Sequence, residues 1–321
     1  MKRILVTGGL GFIGSNFIRM MLQKHPDIAV TNLDAVTYAG NPANLKDIEN
    51  NVRYSFTRGD ICDRDVVFSL LDRQNVDTIV HFAAESHVDR SIEDSSVFVR
   101  TNVLGTHVLL EAALKCGVER FVHISTDEVY GSTAAGSFSE TDNLAPSSPY
   151  SASKAGSDLL ALSYHKTHGL PVIVTRCTNN FGPYQYPEKL IPLFTTNLVD
   201  GKKVPVYGSG KNVRDWIYVL DHNRAVDFIL ENGSPGEIYN ISSGNELNNL
   251  EITGTILSLL GMDESMIEYV ADRPGHDWRY SLDSTKLRSM GWRPEYDFET
   301  AMRETISWYR DNEWWWRPLK R

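Results

Sequence analysis

Thr7-Gly8-Gly9-Leu10-Gly11-Phe12-Ile13-Gly14 stands directly after the short β-branched run 3–7 and opens a helical pattern over 12–24. Gly8, Gly11 and Gly14 recur every third residue. In a strand-to-helix turn the first permits a tight bend, the second lets backbone approach a pyrophosphate, and the third lets the helix pack on the sheet. The helix start, with Phe12 and Ile13, offers unpaired N–H groups and a partial positive charge to an anion. A glycine triplet alone carries little weight. Its position between strand and helix makes it a dinucleotide-binding turn.

The next strand ends are consistent with that reading. Asp34 ends a predicted strand 20 residues after Gly14. A carboxylate there accepts hydrogen bonds from both ribose hydroxyls and repels a 2′-phosphate, which selects NAD over NADP. Arg58 lies farther on and would complicate that selection. Asp60 and Ile61 follow a third strand and suit the adenine edge. His81-Phe82-Ala83-Ala84 ends a fourth with small residues that admit a cofactor closely.

Apolar runs at 29–33, 52–56, 78–82, 121–125 and 172–176 predict further strands buried on both faces. Helical patterns at 65–71, 94–116 and 149–168 alternate with them. The expected class is α/β: a doubly wound parallel sheet of Rossmann type. Past Arg176 turn residues thicken, and helical patterns continue at 221–232, 250–260 and 298–310. The expected division is a cofactor domain over 1–177, with 212–241 returning to it, and a smaller substrate lobe mainly over 178–321. Helices 94–116 and 149–168 are apolar over much of their circumference, which predicts a homodimer built on them.

The formal charge of −9 over 321 residues argues against a nucleic-acid surface, which needs clustered Lys and Arg. The three cysteines form no CxxC pair, so a reducing compartment and no metal site are expected. The apolar run before Gly8 is too short for a signal peptide. No apolar stretch reads as approaching a membrane span of about 20 residues. A cytoplasmic protein follows as the expectation. Trp314-Trp315-Trp316 reads as aromatic packing of the last segment onto the second lobe.

Chemistry concentrates at Ser125-Thr126-Asp127-Glu128-Val129-Tyr130 and at Tyr150-Ser151-Ala152-Ser153-Lys154. Tyr150 and Lys154 are four apart on a helix and project from one face. A nearby ammonium and a nicotinamide cation favour phenolate, so Tyr150 is expected to have a lowered pKa and to take a carbinol proton. Hydride transfer has no need of Asp127 and Glu128. Once C4 of a hexose is a ketone, its C5 hydrogen is acidic; Glu128 is the candidate base. The C6 hydroxyl leaves only when protonated; Asp127 is the candidate acid. Two carboxylates in one pocket can hold different protonation states.

With these motifs the chain resembles the extended short-chain dehydrogenase/reductase family, and within it the nucleotide-sugar 4,6-dehydratases. The resemblance runs through almost the whole length, including 7–15, 81–91, 125–131, 150–154, 176–185, 214–221 and 273–280. Leu10 departs from the smaller residue many relatives carry, but the three glycines remain. The resemblance implies NAD-dependent dehydration of dTDP-glucose: oxidation at C4, loss of water across C5 and C6, and return of the hydride to C6. It implies that Thr126 hydrogen-bonds the C4 oxygen. It carries nucleotide-sugar contacts to Asn180, Lys189, Arg214, Asn249, Arg273 and His276, with Tyr207 near the base or ribose and Glu85, Ser86 and Arg90 along the sugar. A planar guanidinium suits a diphosphate. A nucleotide-sugar 4-epimerase, a dehydratase for another nucleotide sugar, and a silent NAD-binding scaffold remain as alternatives.

Overall fold

The computed structural model describes residues 1–272 and 277–320. Seven parallel strands form the main sheet, in the order β10-β6-β5-β4-β1-β2-β3. They are β1 (Arg3–Thr7), β2 (Ala29–Asp34), β3 (Tyr54–Arg58), β4 (Thr78–His81), β5 (Arg120–Thr126), β6 (Val172–Cys177) and β10 (Ile238–Ile241). The order reverses on either side of β1, so a crevice opens beyond the carboxyl ends of β1 and β4, the switch point where such sheets take ligands.

Helices cover both faces. Phe12–Lys24 and Val219–Asn232 pack on one, burying Phe17, Ile18, Met21, Val226 and Ile229. Arg64–Gln74, Ser96–Cys116 and Pro149–His168 cover the other, where Leu70, Leu109, Phe121 and Val174 share a core. β1, β2, β4, β5 and β6 are buried along nearly their whole length, which explains their near-continuous apolar runs; the edge strand β3 departs from the expectation, with Ser55, Phe56 and Arg58 exposed. β3 begins two residues later than its run suggests, after a turn in which the Tyr54 amide donates to the Asn51 carbonyl at 2.9 Å.

The 94–116 helix departs from expectation in two ways. Asp94 lies outside it and accepts a hydrogen bond from the Ser96 amide at 2.9 Å, starting the helix at Ser96. Its Val99–Gly105 turn is π-helical, and such bulges often mark functional sites. A further correction follows: by length and composition Ser96–Cys116 is apolar enough to cross a membrane. Half of that stretch is buried against the rest of the chain, as befits a core helix.

The remaining strands and helices form a second core. β7 (Asn179–Phe181), β9 (Val213–Tyr218) and β11 (Glu246–Asn248) make a small sheet. Leu190–Val199, Asn249–Leu260 and Phe298–Asp311 pack beside it around Phe181, Phe194, Ile256 and Met302. Trp316 is fully buried and Trp314 exposed. Trp315 donates to Asn44 at 2.7 Å, so the last segment ties onto the cofactor side as well as the helix carrying Tyr309.

Candidate active site

β1 delivers the glycine turn to the crevice. Gly8 has φ +70°, and a Cβ there would lie 2.7 Å from the Ala83 backbone at the end of β4. At Gly14 a Cβ would lie 2.5 Å from the Gly8 carbonyl, so helix and strand approach only with glycine. Asp34 ends β2, buried, accepting from the Leu10 amide at 2.9 Å and the Val36 amide at 2.8 Å. Burial pushes its carboxyl up, while those two bonds favour the charged form. Asp60 accepts from the Cys62 amide at 2.9 Å and pairs with Arg100 at 3.1 Å.

These groups line one cleft of about 520 Å³. Gly8, Gly11, Phe12, Ile13, Gly14, Asp34, Asp60, Ile61, Ala83 and Ala84 lie along its cofactor side. Thr126, Asp127, Glu128, Tyr150 and Lys154 meet it farther in, with Glu85 and Ser86 beside them and Asn180 and Lys189 across from the second lobe. The glycine turn, the strand-end carboxylate and the small residues at 83–84 together fit a dinucleotide.

Thr126 ends β5, and Asp127–Tyr130 forms a single 3-10 turn. The Thr126 hydroxyl caps that turn, accepting from the Glu128 amide at 3.3 Å and donating to Asp127 Oδ1 at 3.2 Å. Asp127 is 3% exposed. Burial first, then the charge of Glu128, hold its carboxyl well above the ordinary carboxylate range. Both effects favour the protonated form of Asp127.

Tyr150 and Lys154 sit in the first turns of Pro149–His168, started by Pro149 and a capping box between Ser148 and Ser151. Lys154 Nζ donates to the Ile124 carbonyl at 2.7 Å, tying helix to strand. Burial depresses this ammonium to about 8, against the opposing pull of Asp158 and Cys177. Tyr150 differs from expectation. Burial, followed by the charges of Glu128 and Cys177, raises its phenol well above the ordinary value. Within the protein, desolvation outweighs any help from Lys154.

Asn102 escaped the reading of the sequence. Its Nδ2 donates to the Glu85 carbonyl at 3.0 Å and to Ser153 Oγ at 2.8 Å, and its Oδ1 accepts from the Glu85 amide at 2.9 Å. It therefore pins the loop after β4 to the Tyr150 helix. The signal was a poor helix former inside an apolar helical run. His81 is held likewise, between Thr7 at 2.7 Å and Thr106 at 3.0 Å.

The nucleotide-end residues are spread more widely. Lys189 Nζ donates to the Ser86 carbonyl at 3.1 Å, bridging the two sides of the cleft. Arg90, expected along the sugar, stacks on Tyr38, 3.6 Å from the ring centroid, and does not line the cleft. Tyr207, Arg214 and Asn249 do not line the cleft. Tyr207 ends a strand of the second lobe, half-exposed, and Asn249 starts the helix Asn249–Leu260. Arg214 is buried over the Tyr280 ring, donating to the carbonyls of Val213 and Asp277. Its charge still reaches Asp127, against the upward push of burial. Arg273 and His276 lie outside the described residues.

Residues 5–305 match the family model described as GDP-mannose 4,6 dehydratase. A dTDP-glucose 4,6-dehydratase of Streptomyces niveus is 56% identical across 99% of this chain and 96% of its own length. The chain belongs to the dTDP-glucose 4,6-dehydratase family. DesIV, a dTDP-glucose 4,6-dehydratase of Streptomyces venezuelae solved with NAD bound, superposes with a TM-score of 0.96. It is 55% identical, and the match covers 99% of this chain and all of that one. A Thermus thermophilus UDP-glucose 4-epimerase complexed with NAD also superposes, with a TM-score of 0.90 at 30% identity over 97% of this chain and 99% of its own. Dehydratase and epimerase thus share the scaffold. Membership of the dehydratase family rests on the higher identity and on the residues set into that scaffold.

Proposed function

We propose that this chain is an NAD-dependent dTDP-glucose 4,6-dehydratase, a hydro-lyase that forms dTDP-4-keto-6-deoxyglucose. One observation carries the reading: Asp127, buried and with its carboxyl pushed well above the ordinary carboxylate range, adjoins Glu128 in the cleft that holds Tyr150 and Lys154. An epimerase has use for Thr126, Tyr150 and Lys154 but none for that acid–base pair. NAD, when bound, accepts the C4 hydride, returns it to C6, and in its oxidised form adds the positive charge that favours Tyr150 phenolate.

Tyr150 takes the C4 hydroxyl proton, with Lys154 positioned by the Ile124 carbonyl and Thr126 holding the C4 oxygen. Glu128 removes the C5 proton and later restores one there. Asp127 protonates the departing C6 hydroxyl. Gly8, Gly11, Gly14 and Asp34 hold the cofactor. Asn180 and Lys189, which line the cleft, receive the diphosphate; the nucleotide contacts that the resemblance gives to Arg214, Arg273, Tyr207, Asn249 and His276 remain part of the proposal.

We further propose the division drawn from the sequence: a cofactor domain over 1–177, joined by 212–241, and a nucleotide-sugar lobe mainly over 178–321. The pairing of β10 with β6 supports the return of 212–241. We place the enzyme in the cytoplasm as a homodimer. Val99, Leu104 and Leu114 on one helix and Leu159 on the other are exposed apolar side chains that a partner subunit would cover.

Incubation with dTDP-glucose tests the activity. A 4-keto-6-deoxy product, seen by its near-ultraviolet absorbance in alkali, is expected. dTDP-galactose in its place makes the protein an epimerase. NAD binding without turnover of any nucleotide hexose makes it a scaffold.

A further inference from the structure

A buried row of side chains lies behind the reactive groups. Asp158, one helical turn beyond Lys154, is fully buried, and Arg176 on β6 is 2% exposed. Arg176 Nε donates to Asp158 Oδ2 at 2.9 Å. The same guanidinium stacks on Tyr130, 4.7 Å from the ring centroid. Tyr130 is the last residue of the 3-10 turn that begins at Asp127. Its other surroundings are equally fixed. Its ring stacks on Phe138 at 5.2 Å and 9°, and its hydroxyl donates to Asn240 Oδ1 on β10 at 2.9 Å.

Two pairs of reactive groups come from different elements. Tyr150 and Lys154 ride on the Pro149–His168 helix; Asp127 and Glu128 ride on the turn after β5. An oxidised C4 is useful only if the acid and base stand in the right places around the same sugar ring. Arg176 touches the support of each pair: the carboxylate of Asp158 on one side and the ring of Tyr130 on the other. A flat guanidinium can do both at once, with directed N–H donors in its plane and its face on an aromatic ring. The Asp158 bond and the Tyr130 face constrain this buried charge on two sides, although its Nη1 has no hydrogen-bond partner among the described residues.

We propose that Arg176 is a positioning residue that holds the Asp127–Glu128 turn in register with the Tyr150–Lys154 helix and so couples dehydration to C4 oxidation. The kinetic consequence rests on the dehydratase reading; the geometric consequence does not.

Three variants separate the parts. Arg176→Lys keeps the charge but loses the flat face. Tyr130→Leu loses the ring but leaves the Asp158–Arg176 pair intact, so it guards against simple misfolding. Tyr130→Phe keeps the ring. In crystal structures the first two should show residues 127–130 displaced from the helix by about 1 Å, a misplacement large enough to matter for chemistry. Tyr130→Phe should leave them in place. An unmoved turn in both overturns the inference, whatever the activity. A Tyr130→Phe variant that behaves like Tyr130→Leu overturns the role given to the ring face.

In single turnovers with dTDP-glucose, Arg176→Lys and Tyr130→Leu should accumulate reduced cofactor, with elimination slowed at least about tenfold more than C4 oxidation. Equal slowing of the two steps overturns the positioning role and leaves the dehydratase reading standing. A wild-type protein that yields no 4-keto-6-deoxy product counts against that reading alone, and the crystallographic result then decides the inference.

Discussion

At Asp127 two effects add. Burial disfavours the carboxylate, and the charge of Glu128 disfavours it again. Both favour the acid form that protonating a leaving hydroxyl requires. Asp127→Asn should slow water loss by roughly 10²-fold or more and leave C4 oxidation near wild type. The acid works only while protonated, so the elimination rate should fall as pH rises through its raised pKa. That falling limb should be missing in Asp127→Asn; a limb unchanged in the variant belongs to another group. Glu128→Gln should likewise stop at the oxidised sugar, seen as reduced cofactor that is not reoxidised. Rapid dehydration by this variant would remove Glu128 as the base. The roles proposed for both residues were readable from the sequence, because they follow Thr126 directly. The raised pKa of Tyr150 was not, since burial depends on what the fold lays over the ring.

At the scale of elements, the strand–turn–helix at 3–24 is specified locally. Its boundaries match the apolar pattern because β-branched residues, glycines and a long amphipathic run follow one another without ambiguity. Gly14→Ala should destabilise by about 1–3 kcal/mol, as overpacking does. The added Cβ meets a backbone oxygen that cannot yield. Urea unfolding and NAD titration of the variant would show it, and a stable variant with unchanged NAD affinity would contradict the packing argument. The helix Ser96–Cys116 was harder to read. Its start at Ser96 follows the turn in which Asp94 accepts from the Ser96 amide, and its π-helical turn has no marker in an apolar run. That turn carries Asn102, whose bonds to Glu85 and Ser153 come from segments distant in the chain.

Over the whole molecule, one side of the helix pair is left apolar and exposed, with Leu104 45% and Leu159 60% accessible. Light scattering should give a dimer, and Leu159→Glu combined with Leu104→Glu should shift it to monomer; a wild-type monomer would overturn the assembly proposal.

Acid stability is a second property of the whole. His81, His123 and His222 are fully buried, and burial lowers all three, His222 to about 4. The unfolded chain takes up their protons below about pH 6.5 while the folded chain resists, so stability must fall as pH drops through that range. For His222 alone the loss between about pH 7 and 5 is about 2 kcal/mol. Urea midpoints at the two pH values should show a smaller drop for His222→Leu than for wild type.

Local chemistry and periodicity in the sequence determined the glycine turn, the alternation of strand and helix, the Tyr150–Lys154 spacing and the adjacent Asp127–Glu128 pair. All are contacts within a few residues, governed by backbone geometry and side-chain period. Tertiary structure decided which of the candidate residues share a cleft. It brought Asn180 and Lys189 to the cleft and set Tyr207, Arg214 and Asn249 outside its lining. It also decided which charges are buried, and hence that the Asp127 carboxyl is pushed up and the Lys154 ammonium down. Desolvation and long-range contact belong to the folded chain, and no stretch of residues carries them alone.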